Sequence, residues 1–192
     1  MSSRPVRPLV LASASPRRHE LLREAGWAFE VVVPEVEEAH DASLSCDALT
    51  VANARLKALA GLAIRPDAVV IGADTLVYLG TEPLGKPKDL EEAKSMLSRL
   101  SGQTHAVCTG VALASAEGVR EFAVITEVRF LPLMEPEIEH YLSKVHVLDK
   151  AGAYAAQEYG ELIIEKMVGS YSNVVGLPME RLIAELVEAV AT

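Results

Sequence analysis

Aromatic side chains are scarce in this chain, at 5 % of its 192 residues. Aliphatic residues and alanine must therefore fill the interior, as α/β folds allow. Cysteine is scarcer still: Cys46 and Cys108 are the only two, without metal-like spacing, and read as reduced, structural thiols of a cytoplasmic protein. Long apolar runs are missing. Nothing approaches the roughly 20 residues of a membrane span. The apolar run near the N-terminus is too short for a secretory signal, so the expected location is the cytoplasm, with no membrane partner. Positive charge is the minority sign: 18 Lys and Arg against 27 Asp and Glu leave a net charge of -9. That balance, with no basic or aromatic stripe, argues against a nucleic-acid partner. It does not exclude a small anion in a locally cationic pocket. Common catalytic signatures are absent as well. The five histidines show no i,i+4 metal pairing, and there is no H-E-x-x-H, G-x-S-x-G or Walker loop.

What is present is a regular alternation of short apolar runs and amphipathic stretches. Half the residues are apolar, enough for a substantial core, and with no repeat or linker the span 1–192 reads as one domain. "PLVLAS" (8–13) reads as a buried strand. Pro16 suits a first helical turn, with Ser15 as candidate N-cap, Leu21, Leu22 and Ala25 on one face, and Gly26 as the stop. "WAFEVVVP" follows as a second strand, then an acidic loop. The next helix, "DALTVANARLKALAGLAI", is expected to turn Leu49, Ala52, Leu56 and Leu59 to one side. "DAVVIGADTLVYLG" is a strand, "TEPLGKPKD" a loop, and "DLEEAKSMLSRLSG" a helix capped by Asp89 and ended by Gly102. "THAVCTGVALAS" and "REFAVITEVRFLPL" form a hairpin across "AEGV". A helix (EPEIEHYLSKV), a strand (GELIIEKMVG), a loop (SYSNVVGLP) and a closing helix (MERLIAELVEAVA) complete the chain. The order predicts an α/β fold: a mixed β-sheet with flanking helices.

Four stretches break local rules, and such breaks tend to be functional. Arg17 and Arg18 open a helix, against its dipole, beside Ser13 and Ser15. A helix start is already an anion site, so the arginines make sense if phosphates bind there; otherwise they are surface residues pairing with Glu20 and Glu24. "IGADT" (71–75) delivers Asp74 at the end of an apolar run, where ligands of open α/β sheets bind. There it can hold Mg²⁺ or activate water, or merely cap a turn. "LGKPKD" offers Lys86 as a point charge for phosphate, or an ordinary polar loop. "DKAGAYAAQEYG" surrounds Asp149, Lys150, Tyr154 and Gln157 with small residues that admit a flat ligand or pack tightly. The Gln157 amide could read a base edge through one donor and one acceptor.

Together these stretches resemble the Maf family of nucleoside triphosphate pyrophosphatases. "LASASPRRHELL", "EVEE", "IGADT", "LGKP", "LSGQTH", "DKAGAYAAQ" and "NVVGLP" occur in the family's order, over nearly the whole chain. The resemblance implies an ITPase-like α/β fold with a cleft between two lobes. It implies hydrolysis between the α- and β-phosphates of a nucleotide, with a divalent cation, Mg²⁺ or Mn²⁺, as cofactor. By motif, Ser13, Arg17 and Arg18 match the phosphate-binding signature, and Lys57 and Lys86 the active-site lysines. Asp74 matches the catalytic acid and is the choice for general base. Glu38 matches a further active-site acid, with Glu37 adjacent and the choice between them open. Glu38 and Asp74 are the expected metal ligands.

The subfamily that prefers dTTP and UTP carries "SPRR", "GADT" and "DKAGAY..Q"; the one that prefers 7-methyl-GTP tends to "SPWR", "GSDQ" and "CAGSF". Arg17, Thr75 and Gln157 match the first set. The implied substrates are dTTP and UTP, with modified pyrimidine nucleotides alongside, in a housecleaning role. The alternatives are a 7-methyl-GTP pyrophosphatase and a non-catalytic nucleotide-binding regulator of cell division. The second fits less well, because a pure binder has no need of a carboxylate beside a triphosphate. One departure is Glu158, an extra charge next to Gln157. The sequence admits a homodimer, the commonest oligomer.

Overall fold

In the computed structural model, which describes residues 7–41 and 43–191, seven strands form one open mixed sheet. The elements run β1 (Leu9–Ala12), α1 (Pro16–Glu24), β2 (Glu30–Val32), α2 (Cys46–Ile64), β3 (Val69–Leu79), β4 (Glu82–Leu84) and α3 (Leu90–Leu100). They continue with β5 (Thr104–Ser115), β6 (Gly118–Phe130), α4 (Glu135–Lys144), β7 (Ile164–Val168), α5 (Tyr171–Val175) and α6 (Met179–Ala191). The sheet order is β2-β1-β3-β5-β6-β7, with β4 also on β3. The β1 pairs are parallel and the others antiparallel. No helix among the described residues is long and apolar enough to cross a membrane.

Most predicted elements are present, including the β5–β6 hairpin and the Asp89 cap, whose carboxylate accepts from the Glu92 N–H at 2.8 Å. Two local readings are corrected. The stretch expected as the loop "TEPLGKPKD" begins with β4, because Gly80 takes a positive φ of 63° and folds the chain back on β3. "SYSNVVGLP" contains the short helix α5, capped by the Ser170 side chain on the Asn173 N–H. Ser15 holds the N-cap position of α1 but makes no side-chain cap; its own N–H donates to Ser13 Oγ at 3.2 Å.

The face of α2 is the largest correction. Leu56 and Leu59 are 42 % and 38 % exposed, while Leu49, Thr50, Asn53, Ala54, Ala58 and Gly61 are buried. The reason lies in the sheet. A Cβ on Gly72 would sit 2.1 Å from the Ala54 carbonyl oxygen, and one on Gly110 would sit 2.3 Å from the Thr50 carbonyl carbon. The helix therefore lies almost on the strands, and only small or short side chains fit between them. Ala25, expected on the inner face of α1, is also exposed; Leu22 is the residue that buries.

The opposite face of the sheet carries two apolar clusters. Leu9, Val69, Ile71, Ala73, Val111 and Leu113 pack with Leu22 of α1 and Leu182 and Leu186 of α6. Val77, Val107, Val128 and Phe130 pack with Leu97, Leu100, Ile138 and Tyr141 of α3 and α4. Between them on β3 and β5 stand Thr75 and Thr109, whose hydroxyls are 2.9 Å apart. The two clusters thus divide this face of the sheet into two halves.

Two stability predictions follow from this packing. Gly110→Ala must push backbone against backbone, so a loss of about 3 kcal/mol is expected in urea denaturation. Gly85→Ala, with nothing within 4 Å of its new Cβ, serves as the control and should change little. The second concerns His105, which is 2 % exposed and shares a 2.8 Å hydrogen bond with the Tyr154 hydroxyl. Its Nδ1 has no partner among the described residues. Burial lowers its pKa from 6.5 to about 4. The unfolded chain then takes up this proton at higher pH than the folded one. The contribution is whole above about 6.5 and is lost as pH falls towards about 4. His105→Gln should remove up to about 3 kcal/mol of the acid dependence between about pH 7 and pH 4.5.

Candidate active site

β1 pairs with β3 only over Val69–Ile71, and β4 only over Val77–Leu79. Both lie on the same edge of β3, so residues 72–76 face an open edge between them. Asp74 therefore sits in mid-strand, where the pairing with β1 has stopped. A cleft of about 750 Å³ opens here. Ser13, Arg17, Arg18, Glu38, Lys57, Asp74, Thr75, Lys86 and Gln157, all picked out in the sequence, line it.

Successive β residues point to opposite faces, so Asp74 and Thr75 serve two different helices. On the α2 side, Lys57 Nζ stands between Asp74 Oδ1 at 2.9 Å and Glu38 Oε1 at 2.8 Å. It also donates to the Ala73 carbonyl at 3.3 Å. Asn53 Nδ2 donates to the other oxygen of Asp74, at 3.1 Å. The geometry separates the adjacent glutamates: Glu38 turns into the cleft and Glu37 is exposed. One ammonium against two carboxylates leaves a net negative charge. Each carboxylate oxygen has more than one acceptor site, so both acids can still take a cation.

On the α1 side, Arg18 spends four of its five N–H donors on the protein. Its Nε donates to the Gly176 carbonyl at 2.8 Å, and Nη1 to the Ala73 carbonyl at 3.0 Å and Ser13 Oγ at 3.2 Å. Nη2 donates to Thr75 Oγ1 at 2.9 Å. Burial pulls its pKa below the ordinary value and the Asp74 charge opposes that, leaving it cationic at any physiological pH. Arg17 instead reaches across the cleft to Asp149, at 3.2 Å. The arginines do not pair with Glu20 and Glu24 among the described contacts.

Asp149 joins Arg17 to Lys150, whose Nζ is 2.9 Å from its other oxygen. Burial works against the Asp149 charge, but Lys150 and Arg17 outweigh it and hold the carboxyl below its usual range. Lys150 Nζ also lies 3.5 Å from Glu158. The extra charge next to Gln157 is thus directed to a buried lysine. Gly152 N–H donates to the Gly85 carbonyl at 3.0 Å, tying the loop of Lys86 to the loop that carries Gln157. Cys46 and Cys108 are free thiols outside the cleft lining, and burial pushes the Cys108 thiol up to about 12.

Sequence reasoning missed Asn53, Thr109 and Gly176. Asn53 had a legible signal, an amide four residues before Lys57 and hence on the same helix face. Gly176 contributes a carbonyl, which no sequence pattern announces.

With a carboxylate on the unpaired stretch of β3 facing a cationic cleft in a mixed α/β sheet, the chain has the frame of a nucleotide-processing enzyme. It belongs to the Maf family: the profile described as Maf-like protein matches residues 8–189. It is 52 % identical over 172 residues to the dTTP/UTP pyrophosphatase of Akkermansia muciniphila, across 90 % of this chain and 91 % of that protein. The dTTP/UTP pyrophosphatase of Bacillus cytotoxicus is 48 % identical over 181 residues, 94 % of this chain and 95 % of its own. That of Desulforamulus reducens is 45 % identical over 179 residues, covering 92 % and 94 %.

The two arginines should respond differently to substitution. Arg18→Lys keeps the charge but strands buried acceptors, and should cost about 2 kcal/mol in urea denaturation. Arg17→Lys disturbs one partly exposed pair and should cost under about 1 kcal/mol.

Proposed function

We propose that this chain, acting as a single domain, hydrolyses dTTP and UTP to the nucleoside monophosphate and pyrophosphate. Modified pyrimidine nucleotides are further substrates, and the role is housecleaning of the nucleotide pool. The observation that carries this reading is Asp74, held by Lys57 and Asn53 at the rim of a cleft that cations line from both sides of the sheet. The relatives' names supply the substrates, and Arg17, Thr75 and Gln157 line the same cleft.

Arg17, Lys57 and Lys86 neutralise the triphosphate and the charge that develops as the anhydride bond breaks. Arg18 holds Ser13, Thr75 and the Gly176 turn in place around them. Asp74 accepts the proton of the attacking water, whose oxygen bonds to the α- or the β-phosphorus while the group on the far side of the anhydride oxygen leaves with the bridging pair. The Gln157 amide matches the O4 and N3–H edge of uracil and thymine.

A divalent cation, Mg²⁺ or Mn²⁺, fits the donors present. Among the described residues no group of three or more His, Cys, Asp or Glu converges. Two carboxylates supplying only oxygen suit a hard ion that completes its shell with water and substrate phosphates. Glu38 and Asp74 would hold it, and when bound it supplies further charge neutralisation at the phosphates. A cytoplasmic location accords with the nucleotide substrates and the free thiols.

The test is a nucleotide panel with Mg²⁺ or Mn²⁺, assaying pyrophosphate and monophosphate from dTTP, UTP, CTP, GTP, ATP and 7-methyl-GTP. Release chiefly from dTTP and UTP is expected. Preference for 7-methyl-GTP would overturn the substrate reading, and no turnover at all would overturn the enzyme. Asp74→Asn should cut kcat by about 10³-fold or more with the fold intact. Gln157→Ala should weaken dTTP and UTP against the other nucleotides by about tenfold in kcat/KM.

A further inference from the structure

Asn53 is 2 % exposed and is not among the residues that line the cleft, yet its side chain touches both elements that carry the acids. Its Oδ1 accepts from the Ala39 N–H at 2.7 Å. Its Nδ2 donates to the Ala39 carbonyl at 3.1 Å and to Asp74 Oδ2 at 3.1 Å. Both amide hydrogens and the carbonyl are thus engaged. The two bonds to Ala39 reproduce, from a side chain, the exchange that facing residues make in an antiparallel ladder.

This matters because of what Ala39 follows. Glu38 lies in the stretch 33–41, which forms no helix or strand. A carboxylate on such a segment is placed only as well as its backbone is tethered. The tether here is Asn53, and the group at its other end is the second carboxylate. Lys57, one turn further along α2, then takes one oxygen from each acid, Glu38 Oε1 and Asp74 Oδ1.

We propose that Asn53 is a positioning residue: it clamps the Glu38 loop to Asp74, so that the separation and orientation of the two acids are set from α2 rather than by the loop itself. The proposal rests on the reading of the cleft as a nucleoside triphosphate pyrophosphatase site. Asn53 acts through Glu38 and Asp74 and need not touch substrate. The close packing of α2 on Gly72 and Gly110 makes this possible, since it brings a short amide within reach of a strand residue and a loop backbone together.

The test combines amide exchange with kinetics on the full chain. In the wild-type protein the Ala39 amide should be strongly protected, well above the rest of 33–41. Exchange at the rate of an open loop would overturn the clamp, whatever the enzyme does. In Asn53→Ala, Ala39 exchange should quicken and kcat for UTP and dTTP should fall by about 10- to 100-fold. KM should move less than about threefold, since the phosphate-binding cations are untouched. A kcat within about twofold of wild type would sink the proposal. A residue of purely structural importance would lower the folded fraction and leave kcat per folded molecule unchanged. If the wild type turned over no nucleotide, the reading of the site would fail while Ala39 protection still reported on the clamp.

Discussion

The arrangement of the cleft depends on one carbonyl group. β1 ends early, so the edge of β3 beyond Ile71 has no strand beside it until Val77. A buried backbone acceptor left there would cost free energy if nothing bonded it. The Ala73 carbonyl is satisfied by two cations instead of a strand: Arg18 from α1 and Lys57 from α2. They arrive from opposite faces of the sheet. The unfinished ladder thereby becomes the point where two helices, two cations and Asp74 meet.

Each cation then extends that point into its own half of the molecule. Arg18 carries it to Ser13 at the end of β1, to Thr75, and to the Gly176 turn that precedes α6. Thr75 passes it to Thr109, at the seam between the two apolar clusters, and Thr109 to the Asn173 carbonyl of α5. Lys57 carries it to Glu38 and Asp74. Its reach depends on α2 lying unusually close to the sheet, which the two strand glycines permit. A bulkier sheet surface would lift α2 and withdraw Lys57 and Asn53 from Asp74. Packing and chemistry are therefore one constraint on that side, and largely a hydrogen-bond network on the other.

Electrostatics shows the same separation between whole and part. The chain has a net charge of -9, yet Arg17, Arg18, Lys57, Lys86 and Lys150 outnumber Glu38, Asp74 and Asp149 around the cleft. The far field repels polyanions while the near field receives a small one. Asp149 tempers that near field by pairing with Arg17 and Lys150, and Glu158 answers Lys150 from the other side.

The amino-acid sequence determined the elements and singled out residues that the fold gathers into one cleft. Apolar runs and amphipathic periods are local, so the hairpin, the Asp89-capped helix and the mixed α/β order could be read directly. The nine cleft residues were legible because each breaks a local rule or belongs to an ordered motif. Tertiary structure decided what distance along the chain conceals. It chose Glu38 over Glu37, because only one of two neighbours can turn towards Lys57. It buried the alanine and asparagine face of α2 and left Leu56 and Leu59 at the surface, because glycines on other strands set the gap. It made Asn53 a link between a loop and a strand and Arg18 a hub for four acceptors. Such roles belong to contacts between segments far apart in sequence, and periodicity along a single segment carries no record of its partners.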